Sequence, residues 1–274
     1  MENQGTRPDI LERIVQAKQA EVTANRREIS LRRLRETAET RQDVRPFFDA
    51  LKVPGPSGVN IVAEIKRASP SKGIIRKDLD PVRLAESYAA GGARAVSVLT
   101  EKSFFLGSAD DLKLARVASG LPVLRKDFIF CDYQVYESAA MGADAVLLIV
   151  RILDLQRLAG LIQLASSLRL TALVEIYTEA DLAAATRAGA QLVGINNRNL
   201  TSFESDLGHT LKFLPLLQPG QVAVAASGIR AREDIRRYQS HGAFNFLIGE
   251  SLVRSENPAG FLKMLQGEKA HDGE

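Results

Sequence analysis

The sequence predicts an α/β fold, a (β/α)8 barrel of the TIM type with a helical extension at its N-terminus. Three observations predict it. The 274 residues suit one barrel of about 250 residues. Apolar runs of strand length alternate with helix-like stretches, and their unbroken Val, Ile, Leu and Ala content suits parallel strands buried on both faces. Gly92-Ala93, Gly142-Ala143, Gly189-Ala190 and Gly242-Ala243 each close a helix and open a strand, roughly every 50 residues, or two βα units apart. An open doubly wound sheet offers no reason for that spacing, and no Gly-x-Gly-x-x-Gly follows a strand.

In chain order, residues 1–58 form the extension, packed on the barrel. Asp9–Arg27 and Leu31–Glu39 read as Arg-rich helices, and Pro46, Pro54 and Pro56 then break the pattern. Arg26, Arg27, Arg32, Arg33 and Arg35 read as a solvated helix face, with attraction of an anionic substrate as the functional alternative. Residues 59–266 make the barrel. Its strands are expected at Val59–Lys66, Arg94–Thr100, Leu121–Lys126, Ala143–Val150, Thr171–Ile176, Gln191–Asn196, Gln221–Ala226 and Ala243–Gly249. Asp154–Leu168 and Thr178–Ala188 are amphipathic helices between them, and other helices end at Gly120-Leu121-Pro122 and Pro219-Gly220. Residues 267–274 are a polar tail.

Composition narrows the function. Lys and Arg outnumber Asp and Glu by 36 to 33, too mild an excess to point to nucleic acid or a membrane surface. The longest clean apolar run, Ala145 to Val150, cannot span a bilayer. The start, Met-Glu-Asn-Gln-Gly, has no apolar core of a signal peptide, so the cytoplasm is the expected compartment. A single cysteine, Cys131, fits a reducing compartment and reads as a small hydrophobe. His209, His241 and His271 lack ligand spacing and read as surface residues, so no metal site is expected.

Barrel enzymes build their sites at the C-terminal ends of the strands. There the first strand ends in Glu64-Ile65-Lys66, the third in Arg125-Lys126-Asp127-Phe128, the fifth carries Glu175 and the sixth Asn196, with Arg198 beyond. Glu64 and Lys66 share a strand face, as a structural ion pair or as working groups. Lys126 and Glu175 come from alternate strands, which feed the same side-chain layers, so these groups can converge as proton donor and acceptor. The loops after strands seven and eight, Ser227-Gly228-Ile229 and Ile248-Gly249-Glu250-Ser251, suit a phosphate, because glycine lets backbone N–H groups approach an anion.

Several stretches together resemble the indole-3-glycerol phosphate synthase family. They are Ile61-Val62-Ala63-Glu64-Ile65-Lys66-Arg67-Ala68-Ser69-Pro70-Ser71-Lys72-Gly73, Val98-Leu99-Thr100-Glu101, Leu124-Arg125-Lys126-Asp127-Phe128-Ile129, Leu173-Val174-Glu175-Ile176 and Gly194-Ile195-Asn196-Asn197-Arg198-Asn199-Leu200. The resemblance implies conversion of 1-(2-carboxyphenylamino)-1-deoxyribulose 5-phosphate to indole-3-glycerol phosphate in tryptophan biosynthesis, with loss of carbon dioxide and water and without a cofactor. It implies Lys126 as the general acid, Glu175 as proton acceptor in the dehydration, Lys66 as a second candidate there, and Glu64 and Asn196 as orienting groups. Ser69 and Arg198 would bind substrate, while Lys66, Ser227, Gly228, Gly249 and Glu250 would surround the phosphate. Leu99, Phe105, Phe128, Leu147, Leu200 and Leu247 would wall the aromatic ring.

One departure stands out. The family's Glu-Ser-Gly after the seventh strand is Ala226-Ser227-Gly228 here, so one carboxylate is missing and catalysis is expected to be reduced or redistributed. Where some members have serine, Glu250 must turn its side chain away from the phosphate. The runner-up is a non-catalytic barrel of the same family that binds a phosphorylated metabolite; a sister barrel such as phosphoribosylanthranilate isomerase fits the Lys-Asp-Phe segment less well. The expected partner is the small phosphorylated substrate, with no nucleic acid or membrane, and the chain is expected to be a monomer.

Overall fold

The computed structural model of the chain describes residues 9–199 and 203–268. It begins with α1 (Ile10–Glu28), α2 (Leu31–Glu39) and α3 (Phe47–Lys52). Asp9 starts α1 by accepting from the N–H groups of Leu11 and Glu12, and Glu12 accepts in return from Asp9 N–H. Ser30 caps α2 through Arg33 N–H. The arginines of the charged run face water, but two also cover aromatic rings of the barrel: Arg26 lies 5.3 Å from the centroid of Tyr133 and Arg35 5.4 Å from that of Tyr136.

The barrel strands are β1 (Asn60–Ile65), β2 (Ala95–Leu99), β3 (Val123–Lys126), β4 (Ala145–Ile149), β5 (Thr171–Ile176), β6 (Leu192–Asn196), β7 (Val222–Ala226) and β8 (Asn245–Ile248). Each pairs in parallel with its neighbours, and β1 pairs with both β2 and β8, so the sheet closes. The expected strand over Thr171–Ile176 is reproduced. The others are shorter at their edges, where residues such as Arg94, Asp144 and Gln191 still make a backbone hydrogen bond to a neighbouring strand. The four repeat glycines sit where foreseen, at left-handed φ between 79° and 94°, leading the chain out of a helix and into a strand.

Helices cover the outside: α4 (Pro81–Ala90), α5 (Ala109–Ser119), α6 (Asp132–Ala140), α7 (Leu155–Ser167), α8 (Glu179–Arg187), α9 (Gly208–Phe213), α10 (Arg232–Gln239), α11 (Glu250–Arg254) and α12 (Pro258–Gln266). The outer residues of the two expected amphipathic helices, Asp154 and Leu168 and Thr178 and Ala188, are their caps. A short hairpin pairing Ala68–Ser69 with Gly73–Ile74 lies in the loop after β1.

Strand alternation divides the core. Ile61, Ala63 and Ile65 of β1 point outward to the helices, whereas Val62 points inward with Leu124, Leu147, Leu173, Leu192, Val224 and Leu247. The N-terminal segment closes both ends of this interior. Phe47 and Leu51 of α3 join it, and Val53 just beyond accepts from the Asn60 amide at the start of β1, which puts α3 under the floor. Leu11 and Ile14 of α1 join it from the opposite, C-terminal end of the strands. Between them, α2 packs on α6.

Candidate active site

The inward faces of the odd strands set the site. Two residues above Val62, Leu124, Leu173 and Val224 stand Glu64, Lys126, Glu175 and Ala226. Side chains two apart share a strand face, and alternate strands supply one layer of four. The even strands add Leu99, Ile149, Asn196 and Gly249 by the same step. All eight residues line one cavity of about 320 Å³ at the C-terminal end of the barrel.

This upper layer is charged where the residues directly beneath, Val62, Leu124, Leu173 and Val224, are apolar. Lys66 Nζ donates to Glu64 Oε1 at 2.7 Å, and Lys126 Nζ lies 3.7 Å from Glu175 Oε2. The Asn196 amide donates to Glu175 Oε1 at 3.3 Å. Burial alone would raise the pKa of Glu64, but the charges of Lys66 and Lys126 and the Lys66 hydrogen bond outweigh it, and the carboxyl titrates below its ordinary value. Glu64 is therefore an anion at neutral pH. Gly249 leaves room for it, since a Cβ there would lie 2.5 Å from Glu64 Oε1.

Above the layer, the loops after β1 and β6 meet. Arg198 donates from Nη1 to Ser71 Oγ at 2.9 Å, and Ser69 and Ser71 approach to 3.5 Å. Beyond β7, Ser227 has φ +71° and Gly228 φ +83°. Beyond β8, Glu250 accepts from Arg254 Nε at 3.2 Å, and both residues line the cavity. Lys66, Lys126, Arg198, Arg230 and Arg254 line the cavity against Glu64, Glu175 and Glu250, a local excess of cations suited to an anionic ligand.

The apolar wall comes from three sources. Leu99 and Leu247 belong to the barrel. Phe105 and Phe128 face each other with centroids 6.0 Å apart, the Phe104-Phe105 turn being pinned by backbone N–H groups donating to the buried Glu101 carboxylate. Ile10, Leu11 and Ile14 of α1 supply the third part. Helix α1 is held there by Lys18, which is 1% exposed and whose Nζ lies 2.9 Å from Asp127 Oδ1, on the residue after Lys126. Asp127 also accepts from Thr100 and Arg125, and Arg125 continues to Glu137 at 2.8 Å.

Of the residues singled out from sequence, Glu64, Lys66, Ser69, Leu99, Phe105, Lys126, Phe128, Glu175, Asn196, Arg198, Ser227, Gly228, Leu247, Gly249 and Glu250 all line the cavity. Leu147 does not. It points inward but one layer too deep, 2% exposed, and Ile149 two residues on takes its place at the surface. Leu200 lies outside the described residues. Sequence reasoning missed Ile10, Leu11, Ile14, Ile149, Arg230 and Arg254. Counting two residues on from Leu147 would have found Ile149, whereas the apolar positions of α1 read only as a generic helix face.

Among the described residues no group of His, Cys, Asp and Glu is placed to hold a metal ion. His241 is exposed, as expected of a surface residue, and His271 lies outside the described residues. His209 departs from the expectation: it is half-buried, with its ring centroid 4.5 Å from that of Tyr177. Cys131 is half-buried at the start of α6.

Comparison with known proteins agrees with this architecture. The family model described as Indole-3-glycerol phosphate synthase matches residues 11–265. An indole-3-glycerol phosphate synthase from Desulfosudis oleivorans is 55% identical over 94% of this chain and 98% of its own length. One from Syntrophobacter fumaroxidans is 47% identical over the same shares. Among solved structures, 3-hexulose-6-phosphate synthase from Salmonella typhimurium matches 76% of this chain and 97% of its own with a TM-score of 0.61. Thiamine phosphate pyrophosphorylase from Pyrococcus furiosus matches 80% and 95% with a TM-score of 0.57. At 12% and 16% identity these two speak for the barrel fold alone.

Proposed function

The chain belongs to the indole-3-glycerol phosphate synthase family, and from that premise we propose that it closes the indole ring of 1-(2-carboxyphenylamino)-1-deoxyribulose 5-phosphate. The observation that carries this reading is the convergence of Lys126, Glu175, Glu64 and Lys66 on one cavity that combines an apolar wall with a surplus of cations. The aryl carbon bearing the carboxylate attacks the ketone carbon, and Lys126 protonates the ketone oxygen as the new bond forms. The carboxylate then leaves as carbon dioxide, its bonding electrons returning to the ring. The new hydroxyl leaves as water with help from Lys66, and Glu175 takes the proton whose loss forms the last double bond. Glu64 fixes Lys66, Asn196 fixes Glu175, and none of these steps calls for a cofactor.

In this reading Phe105, Phe128, Leu99, Leu247 and the α1 residues hold the ring, and Ser69 and Arg198 hold the substrate's polar groups. Lys66 and the turns at Ser227-Gly228 and Gly249-Glu250 hold the phosphate. Helices α1 and α3 act as a lid and floor for the barrel of 59–266, in a monomer working in the cytoplasm. Among the described residues no helix is long and apolar enough to cross a membrane.

The test supplies the carboxyphenylamino-deoxyribulose phosphate without metal and follows indole fluorescence. Product is expected. No turnover from folded protein that still binds the substrate would leave a non-catalytic phosphate-binding barrel. Ala226 gives that second reading its one foothold, because it is the uncharged member of the layer of four. Ala226→Glu is expected to raise kcat on the order of fivefold, by giving the dehydration a carboxylate besides the one beside Lys126. An equal or lower kcat in steady-state assays would mean that the site has adapted around alanine.

A further inference from the structure

We infer that Asn197, which does not line the cavity, is a positioning residue for its phosphate end: its buried amide holds the turn at Ser227 in the left-handed conformation that turns backbone N–H groups toward the anion. The inference rests on the reading of that turn as part of the phosphate site.

Strand alternation sends Asn196 and Asn197 in opposite directions. Asn196 faces the cavity, while Asn197 enters the layer between β7, α9 and α10 and is 1% exposed. There every hydrogen-bonding position of its side chain is used. Nδ2 donates to Ser227 O at 3.0 Å and to the Tyr238 hydroxyl at 2.8 Å. Oδ1 accepts from the N–H of Thr210 at 3.1 Å and from its hydroxyl at 2.8 Å. An amide offers two donors and two lone pairs, so the site is saturated. The backbone joins in, Asn197 N–H donating to Ala226 O at 2.9 Å and Asp206 N–H to Asn197 O at 3.0 Å.

The group being held is an unusual one. Ser227 has φ +71°, a region that residues with a Cβ seldom occupy without support from their surroundings. Gly228 follows at φ +83° and is overlaid by the segment that Asn197 anchors: a Cβ on it would meet Leu207 Cδ2 at 3.1 Å and Ser205 Cβ at 3.2 Å. Ser227, Gly228 and Ile229 all line the cavity, and among the described residues nothing accepts from the N–H of Gly228 or Ile229. Successive N–H groups presented by such a turn form a concavity for an anion. Asn197 thus reaches the anion through the backbone of Ser227 rather than by touching it.

The test uses the full chain, with inorganic phosphate as probe and competitive inhibitor of turnover. Asn197→Ala is expected to raise both KM and the inhibition constant of phosphate about tenfold, with kcat changed less than about threefold. Adding Ser227→Gly to Asn197→Ala is expected to recover most of that loss, because glycine takes the left-handed conformation without support. A purely structural asparagine would lower Tm but leave phosphate inhibition unmoved, and it would not be rescued at position 227. Asn197→Asp, which keeps the acceptor for Thr210 and loses the donor to Ser227, is the second variant, with the same expected direction. Unchanged phosphate inhibition, an equal fall in kcat, absence of rescue, or failure of both variants to fold would each overturn the inference. If phosphate fails to inhibit even the unaltered protein, the phosphate site itself is misplaced, an outcome distinct from a fault in Asn197 alone.

Discussion

Lys126→Ala is expected to lower kcat about a thousandfold while substrate affinity changes only a few-fold. The size follows from what a placed proton donor contributes, about 10²–10⁴ in rate. The split follows from the cavity. In the proposed reading the apolar wall, Arg198, Lys66 and the two turns, all lining the cavity, hold the substrate before any bond changes, and no hydrogen bond joins any of them to the Lys126 ammonium. Glu175 keeps the Asn196 amide when the lysine is gone, so the carboxylate remains oriented. Single-turnover kinetics together with equilibrium binding of the substrate would measure the two effects separately. Near-normal turnover in that variant would remove Lys126 from the role of acid. A parallel loss of affinity would make it chiefly a binding residue.

Asp127→Ala is expected to cost about 3 kcal/mol of stability, because it removes the fully buried anion shared by two buried cations and leaves Lys18 with only Glu21 and Arg125 with only Glu137. Lys18 and Arg125 both end on its carboxylate, with Thr100 as a third partner. For a chain of this size the corresponding fall in Tm is on the order of 10 °C, readable by calorimetry. The same carboxylate gives a pH signature. Burial would raise its pKa, but Arg125, Lys18 and the Thr100 hydrogen bond bring it down to about 2. A folded-state pKa below the unfolded value stabilises the fold at neutral pH, and that stability is lost as pH falls from about 4 toward 2. The amount is on the order of 2 kcal/mol. Urea denaturation should therefore fall off more steeply with acid in the unaltered protein than in Asp127→Asn. Equal slopes would mean that other carboxylates govern the acid limb.

Much of this site could be read in the sequence because the barrel is built from short-range signals. Continuous apolar runs mark the strands, glycine at the helix ends marks the units, and the polar residues within the last positions of each run mark the cavity. Glu64, Lys126 and Glu175 were legible for that reason. Legibility ended where a position depends on packing between distant segments. Ile10, Leu11 and Ile14 repeat with helical spacing, and nothing in that spacing says that they cover the strand ends rather than a helix. Lys18 reads as one more charged residue of a polar helix until it is seen in contact with Asp127, 109 residues away. Asn197 looks like the less useful member of an Asn-Asn pair. Leu147, expected at the wall, lies below Ile149 because sequence gives the inward direction of a side chain but not its depth along the barrel axis.

The seam of the barrel also has a meaning in time. Glu64 lies on the first strand, yet its neighbours at the cavity floor include Gly249, which follows the last, and β1 meets β8 through the Asn60 and Asn245 side chains, 185 residues apart. A chain emerging from the ribosome can form the early βα units and even pair Lys18 with Asp127. It has no wall at Gly249 and no turn at Ser227 until nearly all of it has been made. Such long-range closure is a slow kind of contact. The cavity is therefore walled on every side only late in synthesis, once the last strand can pair with the first.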